Sequence, residues 1–98
     1  MTLPAPLGHP TGLDPGVAEY VRRLREHGVE TFESCQGGAG HAYPEPVVRF
    51  FGDQSEGFRA LCVALQHGFP VNDLRRFWQI VNREPCGPYW ELSFDAPA

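Results

Sequence analysis

The segment Ser34-Cys35-Gln36-Gly37-Gly38-Ala39-Gly40-His41 holds the residue types and spacing best suited to chemistry. Three glycines in four positions permit positive φ and let the backbone approach a ligand closely. Successive N–H groups in such a loop can line a concave nest for an anion. Cys35 precedes the glycines and His41 follows them, so a thiol–imidazole pair across the loop would make a nucleophile or a redox thiol. Glu33 and Glu45 lie close enough in sequence to orient the imidazole. The structural alternative needs no chemistry: a long hairpin tip requires glycine, and cysteine is among the most often buried residue types.

Other site chemistries fit less well. A phosphate loop of the Walker type needs a helix directly after the glycines, with Lys and Ser/Thr; here a strand pattern follows, and the chain contains no lysine. For a metal, Cys35 and His41 would have to be completed by Cys86 or His67, and no pair shows the short spacing of a structural zinc site. No metal and no other cofactor is therefore expected. Cys62 falls on an apolar helical stripe and reads as core, whereas Cys86 in a Pro/Gly setting reads as an exposed thiol.

These residues need a scaffold. Asp14-Pro15 is a helix start, with Asp as N-cap and Pro at the first helical position. Val17, Tyr20, Val21 and Leu24 follow at i, i+3, i+4 and i+7, one apolar stripe. Glu19/Arg23 and Arg22/Glu26 pair on the wet side, and Gly28 stops the helix. Residues 30–35 alternate as a strand, and Val47-Val48-Arg49-Phe50-Phe51 is a second, β-branched and aromatic one. Asp53 to Glu56 is a capping-box pattern opening a second helix, whose stripe is Phe58, Leu61, Cys62 and Leu65 and whose stop is Gly68. Both helices thus end in His-Gly, at His27-Gly28 and His67-Gly68; a histidine beside the negative end of a helix and a glycine after it make a good stop.

Residues 71–82 fit helix and strand patterns alike. The reading adopted is a short helical turn at 71–75 and a strand at 76–82, because Tyr89-Trp90-Glu91-Leu92-Ser93-Phe94 alternates as a terminal strand and needs a partner. Glu84 to Pro88 is the intervening turn, and Trp78 and Trp90 are expected to face each other across the hairpin, in phase with Ile80. The fold class is α+β: order α-β-β-α-β-β, a four-stranded antiparallel sheet with two helices on one face. The other face is expected to carry Thr31, Glu33, Arg49, Gln79, Tyr89 and Glu91, a polar and partly aromatic surface.

Composition bounds the rest. Ninety-eight residues allow one core: an extended segment at 1–13 followed by a single domain at 14–98. Net charge is −4 and all eight cations are Arg, so nucleic acid is not an expected partner. No run of ~20 apolar residues exists to span a membrane. The Pro-rich start lacks a signal pattern, and three cysteines make no even framework, so a cytoplasmic setting is expected.

The residues Gly28-Val29-Glu30-Thr31-Phe32-Glu33-Ser34-Cys35-Gln36-Gly37, with Gly40-His41 after them, resemble a G-[IV]-x-T-x-x-S-C-x-G signature found in small bacterial and phage proteins. The later Gly87-Pro88-Tyr89-Trp90-Glu91-Leu92 is similar to that group as well, so the resemblance spans most of 13–94; it implies no activity. A very faint similarity to the tRNA wybutosine-synthesis methyltransferase family rests on Thr31, Ser34, Cys35 and Gly37. The Thr-to-Cys spacing differs and this chain is short and acidic, so neither methyl transfer nor tRNA binding carries over.

Three functions follow as expectations. The first is a binding module for a small anionic or nucleotide-like ligand, using Ser34, Gly37, Gly38 and Gly40 with Arg49, Glu33 and Glu91. The second is a thiol enzyme with Cys35 as nucleophile and His41 as base. The third is a phage or mobile-element accessory protein that binds another protein or a second copy of itself through an open sheet edge.

Overall fold

In a computed structural model, which describes residues 15–40 and 44–96, the chain order is α1 (Pro15–Glu26), β1 (Glu30–Cys35), β2 (Val47–Phe51), α2 (Gln54–Gln66), β3 (Val71–Val81) and β4 (Glu84–Phe94). The strands form one sheet in the order β1-β2-β4-β3, with every neighbouring pair antiparallel. Both helices pack on the same face, where Val48, Phe50, Trp90, Leu92 and Phe94 meet Val17, Val21 and Leu24 of α1 and Ala60, Val63 and Ala64 of α2. The expected α+β architecture is the one observed. Asp14 and the segment 1–13 lie outside the described residues.

The helix ends show how local sequence sets the frame. At α1, the Gly28 N–H bonds the Arg25 carbonyl and the Val29 N–H bonds the Leu24 carbonyl, with Gly28 at φ 83°. At α2, Gly68 bonds Leu65 and Phe69 bonds Ala64, with Gly68 at φ 71°. Both are Schellman stops, in which a left-handed glycine lets two orphan carbonyls be satisfied. At the start of α2, Asp53 accepts from the Ser55 and Glu56 amides, as the capping pattern requires.

Four expectations are corrected. First, residues 71–75 form no helical turn; β3 runs unbroken from Val71 to Val81 because β4 offers it a partner over that length. Second, the hairpin turn is Asn82-Arg83, not 84–88: both residues have positive φ (51° and 68°), the type I′ geometry that matches strand twist, so Glu84 to Pro88 joins β4. Third, Trp78 does not face Trp90. The Asn82-Arg83 turn sets a register that puts Arg76 opposite Trp90 and places Trp78 at the shift between Phe77 and Gln79, with Trp78 57% and Ile80 70% exposed. Fourth, α2 buries a different face from the one its large residues mark. Gly57, Ala60, Val63 and Ala64 are inside, whereas Phe58 (58% exposed), Leu65 (57% exposed) and Cys62 are outside. Trp90 is the cause: a Cβ on Gly57 would lie 2.6 Å from its indole, so only a face of small residues can descend on it.

Candidate functional site

The glycine-rich segment folds back beside the first turn of α1. The Gln36 side-chain oxygen accepts from the Gly16 N–H at 3.1 Å, which ties the loop to the helix start. The Gly37 N–H points at the Cys35 sulfur at 3.4 Å, and the Gly38 N–H donates to the Pro44 carbonyl at 3.1 Å. Gly37 has no substitute here: its φ is 78°, and a Cβ would lie 2.3 Å from the Glu45 carbonyl carbon. Gly38 and Gly40 also have positive φ, but a Cβ at either would meet nothing within 4 Å among the described residues. Gly16, Gln36, Gly37, Gly38, Pro44 and Ala96 line a cleft of about 330 Å³. Three of the amides that could serve an anion there, at Gly16, Gly37 and Gly38, hold internal partners.

Cys35 is buried at 8% exposure, paired with Val47 across the β1–β2 ladder. Ser34 sits one position earlier, half-buried and opposite Val48. His41 lies outside the described residues, as do its neighbours Ala42 and Tyr43.

Arg49, Glu33 and Glu91 come together, but on the helix-free face of the sheet and away from the glycines. Cross-strand register places Glu33, Arg49, Glu91 and Arg75 in one rung across all four strands. Arg49 bonds Glu33 at 2.9 Å and Glu91 at 2.9 Å, while Arg75 reaches Glu91 at 3.5 Å and Asp73 at 2.8 Å. Its hydrogen bond to Asp73, with the nearby Glu91 charge, raises the Arg75 pKa further above its ordinary value. Arg49 is thus already matched by two carboxylates, one of them on the buried Glu91.

Beside this ionic rung runs an aromatic one. Phe32 stacks on Phe51 at 4.4 Å, Tyr89 meets both rings edge-on, and Phe77 continues the row at 5.6 Å from Tyr89. The Arg49 guanidinium lies over Phe77, 4.4 Å from its centroid. Sequence alternation gives Tyr89 and Glu91 to this face but misses Phe32, and it wrongly adds Thr31. A register shift between Thr31 and Glu33 is the reason: it turns Thr31 to the helix side, where it is buried and accepts from Arg25 at 3.1 Å, and lets Phe32 and Glu33 share the open side.

The signature residues have structural roles here. Gly28 closes α1, Val29 is core, Thr31 ties β1 to Arg25, and Gly37 lets the chain pass under Glu45. What sequence reasoning missed is the apolar surface of α2 and the far end of β3, where Phe58, Leu65, Trp78, Ile80 and Val81 are all exposed. The type I′ turn at Asn82-Arg83 was the available signal for the second, because it moves the hairpin end outward from Pro88. No protein-family model matches the chain, and no curated protein or solved structure matches it either.

Proposed function

We propose that this domain works by binding another protein, through the outer face of α2 and the exposed edge strand β3. The observation that carries this reading is the position of Phe58, Cys62 and Leu65: a stripe at i, i+4 and i+7 that is largely exposed, with Phe58 touching the sheet only edge-on at Trp90. Large apolar side chains grouped on an unpartnered face mark interaction surfaces. β3 adds Trp78, Ile80 and Val81 on a strand of eleven residues whose outer edge has no neighbour in the sheet among the described residues, a template for strand addition. The opposite edge strand, β1, is shorter and acidic, which blunts it. Burial of Cys35 and the internal pairing of Arg49 weigh against the thiol-enzyme and anion-binding readings.

Site-specific photocrosslinking in the native cell tests this. A crosslinker at position 65 or 78 is expected to trap one discrete protein adduct, and one at position 30 none. Adducts of equal pattern from all three positions would dismiss the proposal. A second reading is favoured by the cleft beside Gly37 and Gly38: a small polar ligand held there against the Gln36 side chain. A rise in melting temperature with one member of an anion and nucleotide panel, lost in Gln36→Ala, would put that reading ahead.

A further inference from the structure

The repeated His-Gly ends of the two helices bring His27 and His67 together. Their Nε2 atoms are 3.4 Å apart and both rings are exposed. That separation is long for a hydrogen bond, whose usual range ends near ~3.2 Å. It is the right length for one edge of a tetrahedral zinc site, because two Zn–N bonds of ~2.0–2.1 Å at the tetrahedral angle hold the nitrogens ~3.3–3.4 Å apart. The geometry points to a two-histidine chelate for a zinc ion, with His27 Nε2 and His67 Nε2 as the protein ligands and water in the remaining positions.

Three features of the fold support it. Both histidines sit at the end of a helix, so the negative ends of two macrodipoles converge on the place where a dication would rest. The Schellman stops fix the backbone of both residues, and the His67 ring is further held against Phe69, with centroids 5.6 Å apart and planes 23° from parallel. The neighbouring cations are answered locally: Arg59 donates to the His27 carbonyl and pairs with Glu56, Arg23 pairs with Glu19 and Glu26, and Arg25 bonds Thr31. Among the described residues no group of three or more His, Cys, Asp or Glu forms, so the site has two protein ligands among them. Zinc requires neutral imidazoles, so acid competes with it.

The test is a zinc titration by calorimetry on the full chain carrying Cys62→Ser and Cys86→Ser, which removes the two more accessible thiols. One zinc per chain is expected at pH 7.5. His27→Ala and His67→Ala should each weaken binding at least ~100-fold, more than loss of an outer-shell partner typically does. His9→Ala and His41→Ala should leave it unchanged. Zinc should raise the melting temperature of the parent and not of the His27 or His67 variants, whose circular dichroism spectra should match the parent's. Absence of uptake, uptake that survives loss of both histidines, or one zinc shared by two chains would each overturn the assignment.

Discussion

Helices α1 and α2 each carry four apolar residues at i, i+3, i+4 and i+7, but α1 turns its set onto the sheet and α2 turns most of its set away. In α1, Val17, Val21 and Leu24 are fully buried and Tyr20 stacks on Phe94 with centroids 4.1 Å apart. In α2, the large residues Phe58 and Leu65 are in solvent while Gly57, Ala60 and Ala64 lie inside. The strands beneath explain the difference. Under α2 sits Trp90, its indole N–H fixed to the Asp53 carbonyl at 2.9 Å and its ring filling the space a large helix residue would need. Periodicity therefore shows that a helix has two faces. Which face goes down depends on the volume already present on the sheet.

The steepest test of this contrast is chemical. Cys62 lies on the outer face of α2 and Cys35 is buried in the sheet. A thiol reagent should modify Cys62 in the folded protein nearly as fast as in denaturant, and Cys35 orders of magnitude more slowly. Protection of Cys62 would mean that α2 packs with the opposite face.

Stability should divide the same way. Leu24→Ala in α1 removes a fully buried side chain and is expected to cost ~2–5 kcal/mol in urea unfolding. Leu65→Ser in α2 should stay within ~0.5 kcal/mol while abolishing the adduct trapped by a crosslinker at position 78. Comparable costs for the two would erase the distinction between the helices.

Gly57→Ala sharpens the point because two effects oppose each other. Helix propensity alone predicts a gain of ~1 kcal/mol. The new methyl, 2.6 Å from the Trp90 ring, should convert that into a net loss of ~1–3 kcal/mol. A stabilised variant would show that the ring can yield.

The smallest effect concerns the start of α2. Asp53 is held below the usual carboxylate pKa by its bond to the Ser55 hydroxyl, and then by the Ser55 and Glu56 amides. A group whose pKa is lowered on folding contributes stability above its unfolded pKa and loses it as pH falls through the folded value. The gap between the parent and Asp53→Ala should therefore be full at neutral pH and close below the ordinary carboxylate range near ~3.9. A gap independent of pH would point to the backbone, not the charge, as the origin of the cap.

Much of the fold was legible because its signals are local. Asp53, Gly28 and Gly68 mark helix ends through bonds made within a few residues, and the alternation of 89–94 marks a strand regardless of its partner. The candidate site was legible in part. Glu33, Arg49 and Glu91 were assigned to one face, and they meet there, since period-two alternation and pairing put all three on one side. Their neutralisation of one another was not visible, because it depends on which residue stands opposite which.

By itself, the sequence determined the helix stops, the presence of four strands and the α-β-β-α-β-β order. Tertiary structure alone decided the outward face of α2, the side taken by Thr31, the separation of Trp78 from Trp90 and the approach of His27 to His67. The physical reason is range. Capping and alternation are satisfied by neighbours in the chain, whereas facing, register and convergence follow from volumes and partners contributed by residues tens of positions away.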